Sequence, residues 1–218
     1  MPAGRPNVLR SLLVGLAATL GLIASGCASG PASDSSSRPG SASTSAPSSI
    51  VGSDGFDGAA IPPGAPARDF TLTDQSGARV SLGSYRGRVT ILAFPYATCG
   101  GACVVIAQQI RGALDELGRP VPVLLVSADA RSDTPSRVRA FLARTSLTGR
   151  VRYLTGTPAQ LQRVWRSFRV VPASAGERAF DQSASVFLLD RERRVRVIFQ
   201  LEQLTPEALS HDLRKLLG

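Results

Sequence analysis

The most constraining stretch of this chain is a strand–helix–strand pattern over residues 89–127. Val89 to Phe94 (VTILAF) is an apolar run bounded by Gly87 and Pro95, the signature of a buried strand. From Ala102 to Leu117 the apolar positions Cys103, Ile106, Ile110, Ala113, Leu114 and Leu117 fall on one helical stripe, and Gly118 follows as a stop. Val121 to Ser127 (VPVLLVS) then reads as a second buried strand.

The flanking segments extend this pattern. Phe70–Thr73 and Arg79–Leu82 alternate around Asp74-Gln75-Ser76-Gly77, which predicts a short N-terminal hairpin. Thr134-Pro135, Thr157-Pro158 and Thr205-Pro206 each place a capping hydroxyl before a proline at a first helical position. The helices they open bury Val138, Phe141 and Leu142; then Leu161, Val164, Trp165 and Phe168; then Leu209, Leu213 and Leu216. Val151–Leu154 is a short strand, and Ser185–Leu189 pairs with Val195–Phe199 around a turn at Asp190–Arg193. Strands alternating with helices, closed by a hairpin and a helix, predict an α/β fold with a central mixed sheet flanked by helices.

Of three cysteines, Cys99 and Cys103 sit between a buried strand and a helix. Cys103 falls on the apolar stripe, and Cys99 is expected in an exposed turn at the helix start. Unpaired amides and the helix dipole there favour a thiolate, lowering its pKa. A second sulfur one turn on can resolve a mixed disulfide or share a soft metal ion such as Cu(I). The alternative is a structural disulfide or two inert buried thiols, and Gly100 and Gly101 either loosen the loop or permit positive φ.

The third cysteine lies in an address segment. Arg5 and Arg10 precede an apolar run, Ser11–Ile23, too short for a comfortable membrane span. It ends Leu22-Ile23-Ala24-Ser25-Gly26-Cys27, which resembles a bacterial lipobox and implies lipidation of Cys27. We read residues 1–26 as a lipoprotein signal peptide, 27–60 as a flexible Ser/Pro/Gly-rich tether, and 61–218 as the folded domain. This places the domain outside the cytoplasm, anchored to the cell membrane, where disulfides persist. The net charge of +9 comes almost wholly from arginine, without a basic block interleaved with aromatics. It reads as a solvated basic surface, with no nucleic-acid partner expected. That surface includes Arg163, Arg166 and Arg169, and the single histidine, His211, is expected on the polar side of the last helix.

From Pro66 to the last helix the chain resembles the Sco/SenC family, thioredoxin-like extracytoplasmic proteins associated with copper delivery to cytochrome oxidase. The resemblance rests on Asp69-Phe70-Thr71-Leu72, Gly83-Ser84-Tyr85-Arg86-Gly87-Arg88, Phe94-Pro95-Tyr96-Ala97-Thr98-Cys99, the C-x-x-x-C itself, Val126-Ser127-Ala128-Asp129 with Asp133-Thr134-Pro135, Leu154-Thr155-Gly156-Thr157-Pro158, and Phe180-Asp181-Gln182-Ser183. It implies a thioredoxin-like fold, copper as the metal of Cys99 and Cys103, a Cys99–Cys103 disulfide, and a partner protein carrying a dithiol or copper site. The family's histidine ligand position is Gln182, so the imidazole is missing, and Gly100 and Val104 stand where family members usually carry proline. Ala184 holds roughly the place where thioredoxin-like folds put a cis-proline, and Gln182 is a candidate hydrogen-bond partner of Cys99 or a docked peptide. Asp133 reads equally as a family loop residue or a helix cap.

These features support thiol–disulfide exchange, with Cys99 attacking and Cys103 resolving, and a Cu(I) carrier as a second reading. A peroxiredoxin-like thiol peroxidase is suggested by Gly64-Ala65-Pro66 and Asp69-Phe70-Thr71-Leu72, but Tyr96 stands where such enzymes place a hydroxyl three residues before the cysteine. A degenerate thioredoxin-fold binding module is the remaining alternative.

Overall fold

The computed structural model describes residues 55–218. The signal segment, Cys27 and most of the tether lie outside the described residues. Eight strands form one mixed sheet: β1 (Ala59–Ala60), β2 (Thr71–Asp74), β3 (Arg79–Ser81), β4 (Thr90–Ala93), β5 (Val123–Val126), β6 (Arg152–Thr155), β7 (Ser185–Leu189) and β8 (Val195–Gln200). Their spatial order is β1-β8-β7-β4-β5-β6-β2-β3. Among the described residues only the β4–β5 and β5–β6 pairs are parallel, joined by α1 (Ala102–Leu117) and α2 (Pro135–Arg144). The central strands β4 and β5 are buried at every position, as the apolar runs predict. The remaining helices are α3 (Pro158–Phe168), α4 (Glu177–Ser183) and α5 (Pro206–Leu217), and α1 packs along α5.

Each Thr-Pro signal opens a helix. Thr134, Thr157 and Thr205 accept the amides of Arg137, Gln160 and Ala208, and Gln160 completes a capping box. Gly118 ends α1 in the left-handed conformation at φ 63°. Trp165, read as part of the apolar face of α3, packs half-buried against the core, and its indole N–H donates to Ser127 O at 2.8 Å.

Two features differ from the sequence reading. Residues 56–60, read as tether, are folded. Phe56 is buried beneath Lys215, the amides of Asp57 and Gly58 donate to the Asp212 carboxylate, and β1 pairs with β8. Gly58 allows this close approach, since a Cβ there would lie 2.5 Å from Val197. The other is α4, where a loop was expected. Its start is set by Gly176 at φ 103° and no side chain caps it, so no Thr-Pro-like signal marks it.

Candidate functional site

Cys99 lies in the β4–α1 loop, two residues before the Gly101 N-cap, and Cys103 lies in the first turn of α1, where they form a disulfide with Cα atoms 5.8 Å apart. The N-cap position of α1 is Gly101, which offers no side-chain oxygen. Sulfur takes part of that role, accepting the Cys103 amide at Cys99 Sγ, 3.2 Å away. This is the environment that stabilises a thiolate on Cys99 once the bond is reduced.

Cys99 is not in an exposed turn as expected; it is 2% exposed, and Cys103 is fully buried. The loop before it is held by side chains from the two ends of α2, the helix that follows β5. Asp133 Oδ1 accepts the Ala97 amide at 2.6 Å, and Arg144, the last residue of α2, donates to Ala97 O at 2.8 Å and Cys99 O at 3.2 Å. Ala97 is therefore gripped at both its N–H and its C=O by residues that bracket α2. Pro95 O accepts the Ala128 amide at 2.8 Å and the Tyr153 hydroxyl at 3.2 Å, and that hydroxyl also reaches Asp133 Oδ2.

Asp133 is thus an internal strut; Thr134 alone caps α2. Burial pushes the Asp133 carboxyl above the usual aspartate range, against hydrogen bonds from Ser127, Tyr153 and Ala97 that favour its charged form. Burial and the neighbouring Asp133 push the Tyr153 phenol well up. Burial also acts to raise Asp129, but hydrogen bonds from Ser132 and the Arg131 and Ser132 amides outweigh it and hold that carboxyl low. Tyr96 packs edge-on against Phe180 with ring centres 4.9 Å apart; burial raises its phenol, aided by Glu177, Asp181 and Asp129.

The segment carrying the family histidine position lies in α4. Gln182 is exposed and makes no hydrogen bond to either cysteine. Its neighbour Asp181 turns toward the cysteine loop instead: a Cβ on Gly101 would lie 3.9 Å from Asp181 Oδ2, and Asp181 Oδ1 is buried without a hydrogen-bond partner. Ala184 is buried in extended backbone just before β7. His211 is exposed on α5, as expected, with Nδ1 at 3.0 Å from Asp212 Oδ1 and 3.2 Å from Asp57 Oδ2.

The structure thus brings Cys99 and Cys103 together and leaves Gln182 outside. Sequence reasoning missed Arg144 and Tyr153; a lone tyrosine in the otherwise aliphatic buried half of β6 was the available signal for the latter. As a donor set for copper, the reduced pair offers two soft thiolates. That suits Cu(I), whereas no imidazole is in place to complete a three-ligand Cu(II) site.

Comparison with known proteins agrees with this arrangement. A family model described as SCO1/SenC matches residues 59–218. Protein SenC of Rhodobacter capsulatus is 28% identical over 130 residues, which is 56% of this chain and 57% of SenC. The copper-bound structure of ScoI from Bradyrhizobium japonicum is 28% identical, covering 70% of this chain and 99% of its own, with a TM-score of 0.53. The thioredoxin domain of a thiol-disulfide oxidoreductase from Bacteroides vulgatus shares the fold at 17% identity and a TM-score of 0.56, covering 72% of this chain and 99% of its own. A matching family model over most of the chain, on a thioredoxin-like sheet that carries the C-x-x-x-C at its helix start, leaves one conclusion: the chain belongs to the SCO1/SenC family.

Proposed function

We propose that this chain is a thiol–disulfide exchange protein of the SCO1/SenC family whose reduced cysteine pair also handles Cu(I) as cargo. The observation that carries this reading is the Cys99–Cys103 disulfide at the start of α1, with Cys99 Sγ accepting a helix amide. A thiolate of the partner's dithiol attacks one sulfur, the Cys99–Cys103 bond breaks, and the displaced cysteine leaves as a thiolate. The partner's second thiolate then attacks the mixed disulfide, so two electrons pass from the partner's dithiol to this pair. In the reverse direction Cys99, outside the helix, attacks and Cys103 resolves. The exposed Gln182 at the family histidine position weights the function toward redox exchange and Cu(I), away from stable Cu(II) binding. The copper-bound ScoI supports copper as the metal class, and assembly of a copper site such as that of cytochrome oxidase is the physiological setting we assign. Lipidation at Cys27, with the domain held against the outer face of the cell membrane, belongs to the same proposal.

The test is a glutathione redox titration followed by intact mass, repeated with Cu(I) against a competing chelator. Reversible two-electron oxidation, and one-to-one Cu(I) binding abolished by Cys99→Ser or Cys103→Ser, are expected. A disulfide inert to glutathione and to protein dithiols would refute the exchange reading.

A further inference from the structure

Two concavities run along α3 and share Arg166. The first is a groove of about 930 Å³ between the segment leading into β2 and the helix. Arg68 stands on one wall and Arg163 and Arg166 on the other, over a floor that includes Phe70, Val164 and Phe168. The second, about 640 Å³, is lined by Trp165, Val170 and Pro172 together with residues 128–131.

Arg68, Arg163 and Arg166 are exposed, and none makes an ion pair or side-chain hydrogen bond among the described residues. The acids beside them keep their charge but are turned toward other partners, and Asp69 also lies 4.0 Å from Arg193. The Asp69 carboxylate accepts the Ser81 hydroxyl and the amides of Phe70 and Gly83, and Asp129 accepts the amides of Arg131 and Ser132. Three guanidinium groups and the single Asp69 carboxylate therefore line one groove with an apolar floor, which leaves it an excess of positive charge. Guanidinium forks match carboxylates, and arginine and tryptophan beside a cavity are the residue types that anchor protein partners.

Both concavities adjoin, through the core, the elements that carry the cysteine loop. Ala128, in the second concavity, donates its amide to Pro95 O in the cysteine loop, and the charge of Asp129 bears on Tyr96. Phe168 in the first packs against Phe94, at the end of β4, with ring centres 5.4 Å apart.

We propose that the groove along α3 receives an extended acidic segment of the disulfide-exchange partner, its carboxylates on Arg68 of one wall and Arg163 and Arg166 of the other, and that the segment continues past Arg166 to set an apolar side chain against Trp165 in the second concavity. This rests on the exchange reading and adds the chemistry of the partner. A flat bilayer reaches one wall of a concavity, whereas a polypeptide enters and meets the cations on both.

The probes are two cysteine-free fluorescent peptides with interspersed leucine and phenylalanine, one rich in glutamate and one with lysine in its place. The same pair is made with a Cys-x-x-Cys for kinetics. At low salt the glutamate peptide should bind roughly tenfold or more tightly than the lysine peptide and reduce the disulfide correspondingly faster. In the double variant Arg163→Glu and Arg166→Glu both preferences should vanish, while reduction by dithiothreitol stays unchanged. Because these side chains hold nothing else, the variant keeps its fold, checked by its melting temperature. Equal binding of the two peptides, or full affinity in the variant, overturns the proposal. Arginine-dependent binding to phosphatidylglycerol vesicles with both peptides inert assigns the face to a membrane and also overturns it. A disulfide that resists dithiothreitol and both dithiol peptides, with glutamate-peptide binding intact, removes the exchange reading and leaves the docking groove standing.

Discussion

The Tyr153 hydroxyl donates to Asp133 Oδ2 at 2.7 Å, and the other oxygen of that carboxylate accepts the Ala97 amide at 2.6 Å. One buried carboxyl thus joins β6 to the loop that delivers Cys99. Burial raises its pKa in the folded state, so the folded protein holds this proton more tightly than the unfolded chain. The resulting stabilisation is complete below the ordinary aspartate pKa and is lost as pH rises through the folded value. Asp133→Asn should flatten that part of the stability–pH curve in urea unfolding from acid to neutral pH. It should also cost about 1–3 kcal/mol, because the amide offers one oxygen where the two carboxylate oxygens separately accept Ala97 and Tyr153. An unchanged pH dependence would show that Asp133 does not titrate in this range.

Arg144 closes the other side of the same loop through Ala97 O and Cys99 O. Arg144→Leu should lower stability by only about 1 kcal/mol, since the residue is exposed. The larger expected effect is kinetic: with two carbonyls released, Cys99 becomes more accessible and dithiothreitol reduces the disulfide severalfold faster. Stopped-flow reduction monitored by intact mass checks this, and a rate equal to wild type would show that the loop opens without releasing Arg144.

Asp212 is buried and accepts the amides of Asp57 and Gly58. Asp212→Ala orphans both donors and should cost about 2–4 kcal/mol. Hydrogen exchange should accelerate selectively over Phe56–Ala60, and disulfide reduction by dithiothreitol should keep its rate. Protection retained in that segment would mean that β1 pairing and Phe56 packing hold it alone.

The disulfide closes a loop with a sequence separation of only 4. Chain-entropy arguments give such a small loop about 2 kcal/mol of stabilisation. Dithiothreitol should therefore lower the melting temperature of the wild-type chain modestly and leave a Cys99→Ser, Cys103→Ser double variant unaffected. A reduced form as stable as the oxidised one would show that the pair contributes no net stability.

Sequence pattern alone determined strands β2–β8, through apolar runs or alternation, the three helices opened by Thr-Pro, and α1 through its apolar stripe and the Gly118 stop, but not β1 or α4. These are decided over a few residues: a Thr hydroxyl caps the amide three positions on, and a continuous apolar run must be covered on both faces. The Cys99–Cys103 disulfide, which the family resemblance implied, joins the loop before α1 to its first turn.

Tertiary structure alone decided the rest. That residues 56–60 are folded depends on Asp212, 155 residues after Asp57 in sequence, and nothing in a Gly-Phe-Asp-Gly-Ala-Ala segment reveals such a partner. Asp133-Thr134-Pro135 looks like a helix cap, and only the proximity of Ala97 and Tyr153 turns Asp133 inward. The burial of Cys99, the outward-facing Gln182 and the groove beneath Arg163 and Arg166 likewise follow from which elements meet in space. Short-range hydrogen bonding and hydrophobic periodicity are written in neighbouring residues; long-range desolvation and charge compensation exist only once the chain has closed on itself.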